Sequence, residues 1–236
     1  MVDIHCHLLP AVDDGAKSWE LALKMCEMAV ADGIDHIVAT PHANDEFRYD
    51  REFLCGLLSE LSIRVNGKPR LSLGCDFHLS FDNLRDALEH PDRYTIDGTK
   101  YLLVELSDYS VPPAVTTSLG KMKEIGLVPI ITHPERNAVL RRNPARVLEW
   151  VEQGCLVQVT GNSVTGRWGS EAKASSEWLM KRKAVHVLAS DAHGIGSRPP
   201  LLSEARSAAE RIIGKAAASA LVEDNPAAIV AGKPLP

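Results

Sequence analysis

The sequence is poor in the features that mark secreted and membrane-spanning proteins. Its five cysteines are an odd number and include no C-x-x-C pair, so neither a disulfide framework nor a thiolate zinc site is indicated. No apolar run approaches the roughly 18 residues of a membrane span. The acidic Asp3 stands where a signal peptide would carry basic residues. A cytoplasmic protein without membrane insertion is therefore expected.

Positive charge is not in excess either. Lys and Arg number 26 against 31 Asp and Glu, a formal net charge of -5 with His neutral. This balance provides no electrostatic footprint for a nucleic-acid backbone, so we expect no nucleic-acid partner. With 236 residues, 45% of them hydrophobic and 24% charged, the chain is long enough for one large core. No linker interrupts it, and residues 1–236 are predicted to be a single domain.

Short apolar, β-branched runs alternate with longer amphipathic stretches. The runs predicted as strands are 2–5, 34–39, 71–76, 101–106, 127–132, 155–160 and 185–190. The stretches predicted as helices are 18–32, 51–65, 115–125, 144–152 and 171–183, followed by one or two Ala-rich helices in 199–236. Apolar strands alternating with helices are typical of a parallel sheet covered by helices. The seven repeated units favour a closed TIM-like barrel, and no G-x-G-x-x-G motif supports a dinucleotide fold.

Metal-ligating residue types collect at the carboxyl ends of these predicted strands, where barrel enzymes carry their sites. In His5-x-His7 both imidazoles share one face of a strand, because side chains alternate with a period of two, and Asp191-x-His193 repeats this spacing. The histidines at these ends are His5, His7, His42, His78, His133 and His193. Together with the carboxylates there, they would leave unpaired polarity unless a cation organised them. We therefore expect a metal site, in which either Asp76 or His78 is the ligand from the third strand.

The remaining histidines fall elsewhere. His36 and His186 begin their predicted strands at the opposite end, and His90 lies in a His-Pro-Asp loop. None of these is expected to bind a metal.

Several motifs, in their order along the chain, resemble those of a known group of enzymes. They are D-I-H-C-H at 3–7 with V-D-D-G-A at 12–16, T-P-H at 40–42, H-P-E-R-N at 133–137 and S-D-A-H at 190–193. This combination is similar to the signatures of the polymerase-and-histidinol-phosphatase (PHP) superfamily. Within it, the sequence resembles the bacterial capsule-type, CpsB/CapC-like, metal-dependent protein-tyrosine phosphatases.

The resemblance implies an α/β fold, a distorted (β/α)7 TIM-like barrel of the PHP type, with three divalent ions, usually Mn2+ and in some members Fe or Zn. The ligands it implies are His5, His7, Asp76 and Asp191 for one ion, Asp76, Glu105 and His133 for a second, and Asp14, His42 and His193 for a third. Asp76 stands where relatives commonly carry Glu, and the segment 160–163 also departs from the usual form. The implied substrate is a phosphotyrosyl protein, a bacterial tyrosine kinase of capsule or exopolysaccharide biosynthesis.

This ligand set suits a phosphate substrate. Its four carboxylates offset four of the six positive charges of three divalent ions, leaving about +2. Arg136 and Arg198 follow two ligand motifs and are the expected phosphate-binding and catalytic arginines, because a planar guanidinium binds phosphate in a bidentate manner. The expected reaction is attack of metal-bound hydroxide on phosphorus. No C-x5-R motif begins at Cys6 or Cys75, which disfavours a cysteine phosphatase.

Three other functions share parts of the pattern. A histidinol-phosphate or other small-molecule PHP phosphoesterase would use the same ligands and differ only at the substrate rim. A metal-dependent amidohydrolase also opens with H-x-H but typically needs a lysine at a central strand end, and Lys100 lies at the other end of its predicted strand. A binding domain with a degraded site is disfavoured by the complete ligand set. Loop 43–51, with Phe77, Tyr109 and Trp168, is a candidate for the substrate rim.

Overall fold

Parallel strands and helices alternate along the chain in the computed structural model, which describes residues 1–236. The strands are β1 (Val2–Cys6), β2 (His36–Ala39), β3 (His42–Ala43), β4 (Arg70–Leu73), β5 (Asp76–His78), β6 (Tyr101–Glu105), β7 (Val128–Thr132), β8 (Leu156–Thr160) and β9 (Val187–Ala189). The helices are α1 (Trp19–Ala31), α2 (Arg51–Arg64), α3 (Phe81–Glu89), α4 (Ala114–Glu124), α5 (Ala138–Arg142), α6 (Ala145–Glu152), α7 (Gly161–Thr165), α8 (Ser170–Lys181), α9 (Ser203–Ile213), α10 (Lys215–Ala220) and α11 (Asp224–Val230). None of the helices combines the length and apolar character needed to cross a membrane.

The strands form two parallel sheets, which confirms the predicted α/β class. One sheet has the order β1-β2-β4 and the other the order β3-β5-β6-β7-β8-β9. An isolated parallel bridge from Cys6 to Ala192 connects the end of β1 with the segment after β9. The ladders do not run through all strands as one closed sheet, so the seven-unit barrel stays a prediction.

The structure has nine strands where seven were predicted, because β3 lies beyond the predicted run 34–39 and the predicted run 71–76 is divided into β4 and β5. Between β2 and β3 the chain passes through Pro41, which has no backbone N–H for a ladder. Between β4 and β5 it passes through Gly74, where an added Cβ would lie 3.0 Å from Val38 Cγ1. At both breaks the chain leaves the first sheet and joins the second. The new register pairs His42 directly with Asp76, so two predicted ligands become neighbours.

The apolar core lies on both sides of the strands. The larger cluster fills the space between strands and helices and includes Met25 and Ala29, which are buried residues of α1. A smaller cluster draws its side chains from both sheets; its members are Val2, Ile4, Val38, Ile96, Tyr101, Leu103, Ile130, Val187, Ala189 and Ile229. Side chains of the two sheets therefore pack together in this cluster.

The carboxyl-terminal tail differs from the prediction of one or two helices. It contains three, α9 to α11, and Gly214, with φ at +85°, separates the first two by ending α9 and beginning α10 at once. Glycine adopts this left-handed conformation without the steric cost that other residues meet. The tail closes the end of the structure at which the strands begin, where Ile229 of α11 joins the smaller apolar cluster.

Candidate metal centre

The carboxyl ends of the strands meet at one end of the molecule, which we call the mouth. Its innermost group consists of His5, His7, Asp76 and Asp191, all buried. The Nε2 atoms of His5 and His7 are 3.3 Å apart, and Asp76 Oδ2 lies 3.4 Å from His5 Nε2. Asp191 Oδ1 lies 3.5 Å from each of the two imidazoles. Two imidazoles and two carboxylates thus direct their ligand atoms at one small volume.

His42 connects this group to a second one. Its Nδ1 is 3.3 Å from Asp76 Oδ2 and 3.8 Å from Glu105 Oε2. Its Nε2 is 3.4 Å from Asp14 Oδ1, and His193 Nε2 approaches the same oxygen to 3.2 Å. The sets whose ligand atoms all lie within 4.8 Å of one another are His7-Asp14-His42-His193, His5-His7-Asp76 and His42-Asp76-Glu105. These sets share members, so the centre is one continuous cluster.

His133 and His78 lie at the edge of the cluster. His133 Nε2 is 3.8 Å from Glu105 Oε1. His78 Nδ1 is 3.5 Å from Glu105 Oε2, but its side chain is 28% exposed and belongs to none of the three sets. Asp76 belongs to two of them and is almost fully buried. Of the two alternatives left open by the sequence, the structure therefore brings Asp76 into the cluster and leaves His78 at its rim.

Backbone strain accompanies two of the predicted ligands. His133 has a φ of +33° and Asp191 a φ of +51°, values that cost a residue with a side chain on the order of 1–3 kcal/mol. Backbone hydrogen bonds hold both turns, since His133 N donates to Gln158 O at 2.9 Å and Asp191 N donates to His5 O at 2.8 Å. Strained conformations kept in this way are concentrated at functional sites.

Two residues that the sequence analysis missed orient the innermost histidines. Asp13 Oδ2 lies 2.8 Å from His7 Nδ1 and Gln158 Oε1 lies 3.0 Å from His5 Nδ1. With Nδ1 bonded on the outside, each ring turns Nε2 towards the centre, as in metal sites with an outer hydrogen-bonded layer. Gly15 closes this layer, because an added Cβ would lie 2.2 Å from His7 O. Only glycine fits there.

The pKa values of the histidines in the cluster reflect the carboxylates around them and their burial. Burial would lower the pKa of His5, but the carboxylates of Asp76 and Asp191 outweigh it and raise that pKa to about 9. Burial also opposes protonation of His42, but the carboxylates of Asp14 and Asp76 favour it and raise the pKa of His42 to about 9. Without a metal ion, the carboxylates thus favour protons on His5 and His42 as the balancing positive charge. Burial dominates elsewhere, lowering the pKa of His7 to about 4 and, with the charge of Arg136, that of His133 to about 3.

The cluster fits divalent cations. Asp76 Oδ1 and His42 Nδ1 are buried atoms without a hydrogen-bond partner, and buried polar atoms normally have one. A cation between them would satisfy both. The donors are imidazoles and carboxylates, a set accepted by manganese, iron and zinc. None of the three sets contains a cysteine, and Cys6 belongs to the apolar core.

Both predicted arginines reach the mouth. Arg136, from the loop after β7, donates to Asp191 Oδ2, and Arg198, from the loop after β9, lies with Nη2 2.7 Å from the same oxygen. Burial would raise the pKa of Asp191, but His5 and the two guanidiniums hold it well below its usual range. Both guanidiniums also face the ring of Trp168, with Cζ at 4.2 Å for Arg136 and 5.6 Å for Arg198.

The structure contradicts one member of the predicted substrate rim, Phe77. Tyr109 is 95% exposed and Trp168 38% exposed, and Phe47 of loop 43–51 stacks on His42 with ring centroids 6.0 Å apart. Phe77, however, is fully buried and packs on Tyr94 with ring centroids 5.0 Å apart. It alternates with Asp76 and His78 along β5, so its side chain points into the core.

Comparisons with known proteins place the chain in a family. Residues 1–231 match the family described as "Capsular polysaccharide synthesis, CpsB/CapC". The chain belongs to the CpsB/CapC family. The resemblance stated from the sequence is thereby confirmed.

Relatives of this CpsB/CapC member have been studied. Tyrosine-protein phosphatase YwqE of Bacillus subtilis is 34% identical over 203 residues, which are 84% of this chain and 79% of YwqE. A solved structure from work on YwqE and Streptococcus pneumoniae CpsB, described there as unique metal-dependent tyrosine phosphatases, is similar with a TM-score of 0.93 and 30% identity. It covers 100% of this chain and 96% of that one. A β-aspartyl dipeptidase of Fervidobacterium islandicum shares the fold alone, with a TM-score of 0.58 and 14% identity over 97% of this chain and 74% of the dipeptidase.

Proposed function

We propose that this chain is a metal-dependent protein-tyrosine phosphatase. The observation that carries the proposal is the convergence of nine ligand-type side chains and two arginines at the mouth of a CpsB/CapC family member. The substrate is the phosphotyrosine of a bacterial tyrosine kinase that acts in capsule or exopolysaccharide biosynthesis. The family description and the name of the Bacillus relative support this choice.

The cofactors we propose are three divalent ions, Mn2+ before Fe or Zn. We assign His5, His7, Asp76 and Asp191 to the first, Asp76, Glu105 and His133 to the second, and Asp14, His42 and His193 to the third. Asp76 belongs to two of the three sets, which supports assigning it to both the first and the second ion. Such ions supply positive charge for the phosphoryl oxygens and lower the pKa of a coordinated water.

The chain's own residues bind and orient the phosphate. Arg136 and Arg198 both contact Asp191, two cations on one carboxylate. A phosphate dianion has enough oxygens to accept hydrogen bonds from both guanidiniums. Charge-assisted bidentate bonds of this kind are among the strongest hydrogen bonds in proteins. The two arginines therefore stabilise the charge on the transferring phosphoryl group. A tyrosine phenolate, with a pKa of about 10, departs without a strong general acid.

We also infer that both sheets belong to one distorted (β/α)7 barrel of the PHP type, and that residues 1–236 form one cytoplasmic domain. The apolar cluster shared by the two sheets and the bridge from Cys6 to Ala192 support the barrel. The family match, which extends over residues 1–231, supports the single domain.

Hydrolysis of a phosphotyrosine peptide by chelator-stripped protein tests the function. The protein is assayed with manganese, with zinc and without metal, and histidinol phosphate is offered as a competing substrate. We expect manganese-dependent turnover of the peptide. Turnover of histidinol phosphate alone would assign the chain to the small-molecule phosphoesterases instead, and turnover of neither would contradict both of these phosphatase activities.

A pair of variants ties the activity to the mouth. Asp191→Asn removes the carboxylate that touches His5, His7 and both arginines and should abolish turnover. Asp92→Asn changes an exposed carboxylate and should leave turnover unchanged. A metal-loaded, folded Asp191→Asn protein with wild-type activity would contradict the proposed site.

A further inference from the structure

Trp168 occupies a fixed turn beside the two arginines. The turn lies between α7 and α8, flanked by Gly166 with φ at +90° and Gly169 with φ at +88°. Gly169 N donates to Gly166 O at 3.0 Å, and Trp168 N donates to Asn162 O at 3.2 Å. These bonds fix the backbone from which the indole projects, and neither of them involves Arg136 or Arg198.

One indole therefore faces two guanidiniums that come from different loops. Cζ of Arg136 and Cζ of Arg198 lie 4.2 and 5.6 Å from the ring centre, within the reach of cation–π attraction. Both arginines also contact Asp191. The ring and the carboxylate together offset the repulsion between two adjacent positive charges.

The two partners differ in what they demand of a guanidinium. Asp191 uses N–H donors at the guanidinium edge, the same donors that a phosphate needs. An aromatic ring contacts the flat face of a guanidinium and leaves its in-plane N–H donors free. When phosphate takes the donors, the contact with Trp168 can persist, so the indole can hold both arginines in their binding positions.

We propose that Trp168 is a positioning and specificity residue of the phosphotyrosine site. Its indole holds the guanidiniums of Arg136 and Arg198 at the mouth and offers its exposed part, 38% of the residue, to the phenyl ring of the substrate. In phosphotyrosine that ring is bonded directly to the phosphate oxygen, so it must lie beside whatever flanks the two arginines. The inference rests on the proposed phosphatase function and adds the residue that distinguishes aryl from alkyl phosphates.

The test uses Trp168→Ala, Trp168→Phe and the control Trp178→Ala in metal-loaded protein. Trp178 stacks with Arg182 at 3.8 Å on α8 and the following residue, so the control removes a tryptophan–arginine pair of the same kind elsewhere. The readouts are the dissociation constant of inorganic phosphate by calorimetry, and KM and kcat for a phosphotyrosine peptide and the phosphoserine peptide of the same sequence. Metal content is measured for each variant.

Trp168→Ala should weaken phosphate binding and raise KM for the phosphotyrosine peptide about tenfold, the effect of losing two cation–π contacts. Its kcat should change by less than about threefold, because the metal ligands are untouched. Trp168→Phe should recover most of the phosphate affinity, and Trp178→Ala should match wild type. The preference for phosphotyrosine over phosphoserine should fall in Trp168→Ala.

Each readout decides a different part. Unchanged phosphate affinity in Trp168→Ala, or an equal loss in Trp178→Ala, would overturn the positioning role. A loss of affinity with an unchanged preference for phosphotyrosine would overturn the specificity role. If wild type hydrolyses neither peptide, the phosphatase function fails, while calorimetry still decides whether Trp168 positions the arginines.

Discussion

The two ends of the strands use histidine in opposite ways. At the amino ends, His36 Nε2 lies 2.9 Å from Ser72 Oγ, and His186 Nδ1 accepts a hydrogen bond from Val157 N at 3.1 Å. Burial lowers the pKa of both rings, which favours their neutral form. At the mouth, imidazole nitrogens instead approach carboxylates and one another, as His5 and His7 do at 3.3 Å.

The two ends differ in whether their histidines have hydrogen-bond partners within the chain. His36 and His186 have such partners, so they stabilise the fold without a bound ion. The mouth leaves buried ligand atoms of His42 and Asp76 without a hydrogen bond, a costly arrangement for folding alone. Identical residue types therefore have a structural role at one end and are suited to bind cations at the other.

The largest difference between the two ends is expected when His5→Ala is compared with His36→Ala. His5→Ala removes an imidazole from the centre of the cluster and should reduce turnover about a thousandfold or more, because the lost metal charge is worth several kcal/mol in the transition state. His36→Ala removes one buried hydrogen bond, so it should lower the free energy of unfolding by about 1 kcal/mol and keep turnover. Phosphotyrosine-peptide kinetics, metal content and urea unfolding measure these effects. Equal loss of activity in the two variants would erase the distinction between the ends.

The convergence of ligand-type residues at the mouth could be predicted because it follows from simple rules of strand geometry. A period of two places His5 and His7 on one face of a strand, and parallel strands present their carboxyl ends together. The same rule, applied to β5, puts Phe77 on the face opposite Asp76 and His78, so its predicted place on the rim was wrong. The family resemblance supplied Asp14, which follows β1 by several residues and has no such pattern.

What the sequence did not reveal depends on distant contacts. Gln158 orients His5 from 153 residues away, and no spacing rule connects the two. Asp13 and Asp14 are chemically identical neighbours, yet one bonds His7 Nδ1 and the other approaches His193, a difference set by how the loop folds. Pro41 and Gly74 are visible in the sequence, but the crossing of the chain from one sheet to the other at these residues is a tertiary event.

The outer layer of the mouth gives the next largest effect. Asp13→Asn replaces the carboxylate that bonds His7 Nδ1 at 2.8 Å with a neutral amide of similar size. The imidazole loses its negative partner, so we expect metal affinity to fall about 10–100-fold, as outer hydrogen-bond partners of metal-binding histidines contribute on this scale. Competition with a metal-binding dye measures the affinity.

Asp35→Asn is the matched control, since Asp35 is exposed and lies near the amino terminus rather than the mouth. It should keep wild-type metal affinity. If Asp13→Asn did so too, His7 would be oriented by the surrounding structure alone.

The smallest effect concerns the amino ends and is a dependence on pH. Burial lowers the pKa of His186, and its Nδ1 accepts a hydrogen bond that a protonated ring could not accept. In the unfolded chain the pKa of His186 is about 6.5. As pH falls through that value the unfolded state gains a proton that the folded state does not bind, so His186 makes the free energy of unfolding decrease on acidification.

His186→Gln keeps a hydrogen-bond acceptor and cannot titrate. The decrease in its free energy of unfolding between pH 7.5 and 5.5, measured by urea unfolding, should therefore be smaller than that of wild type. His90→Gln, at an exposed position, should retain the wild-type decrease, and an unchanged slope in His186→Gln would show that this ring accepts its proton within the fold.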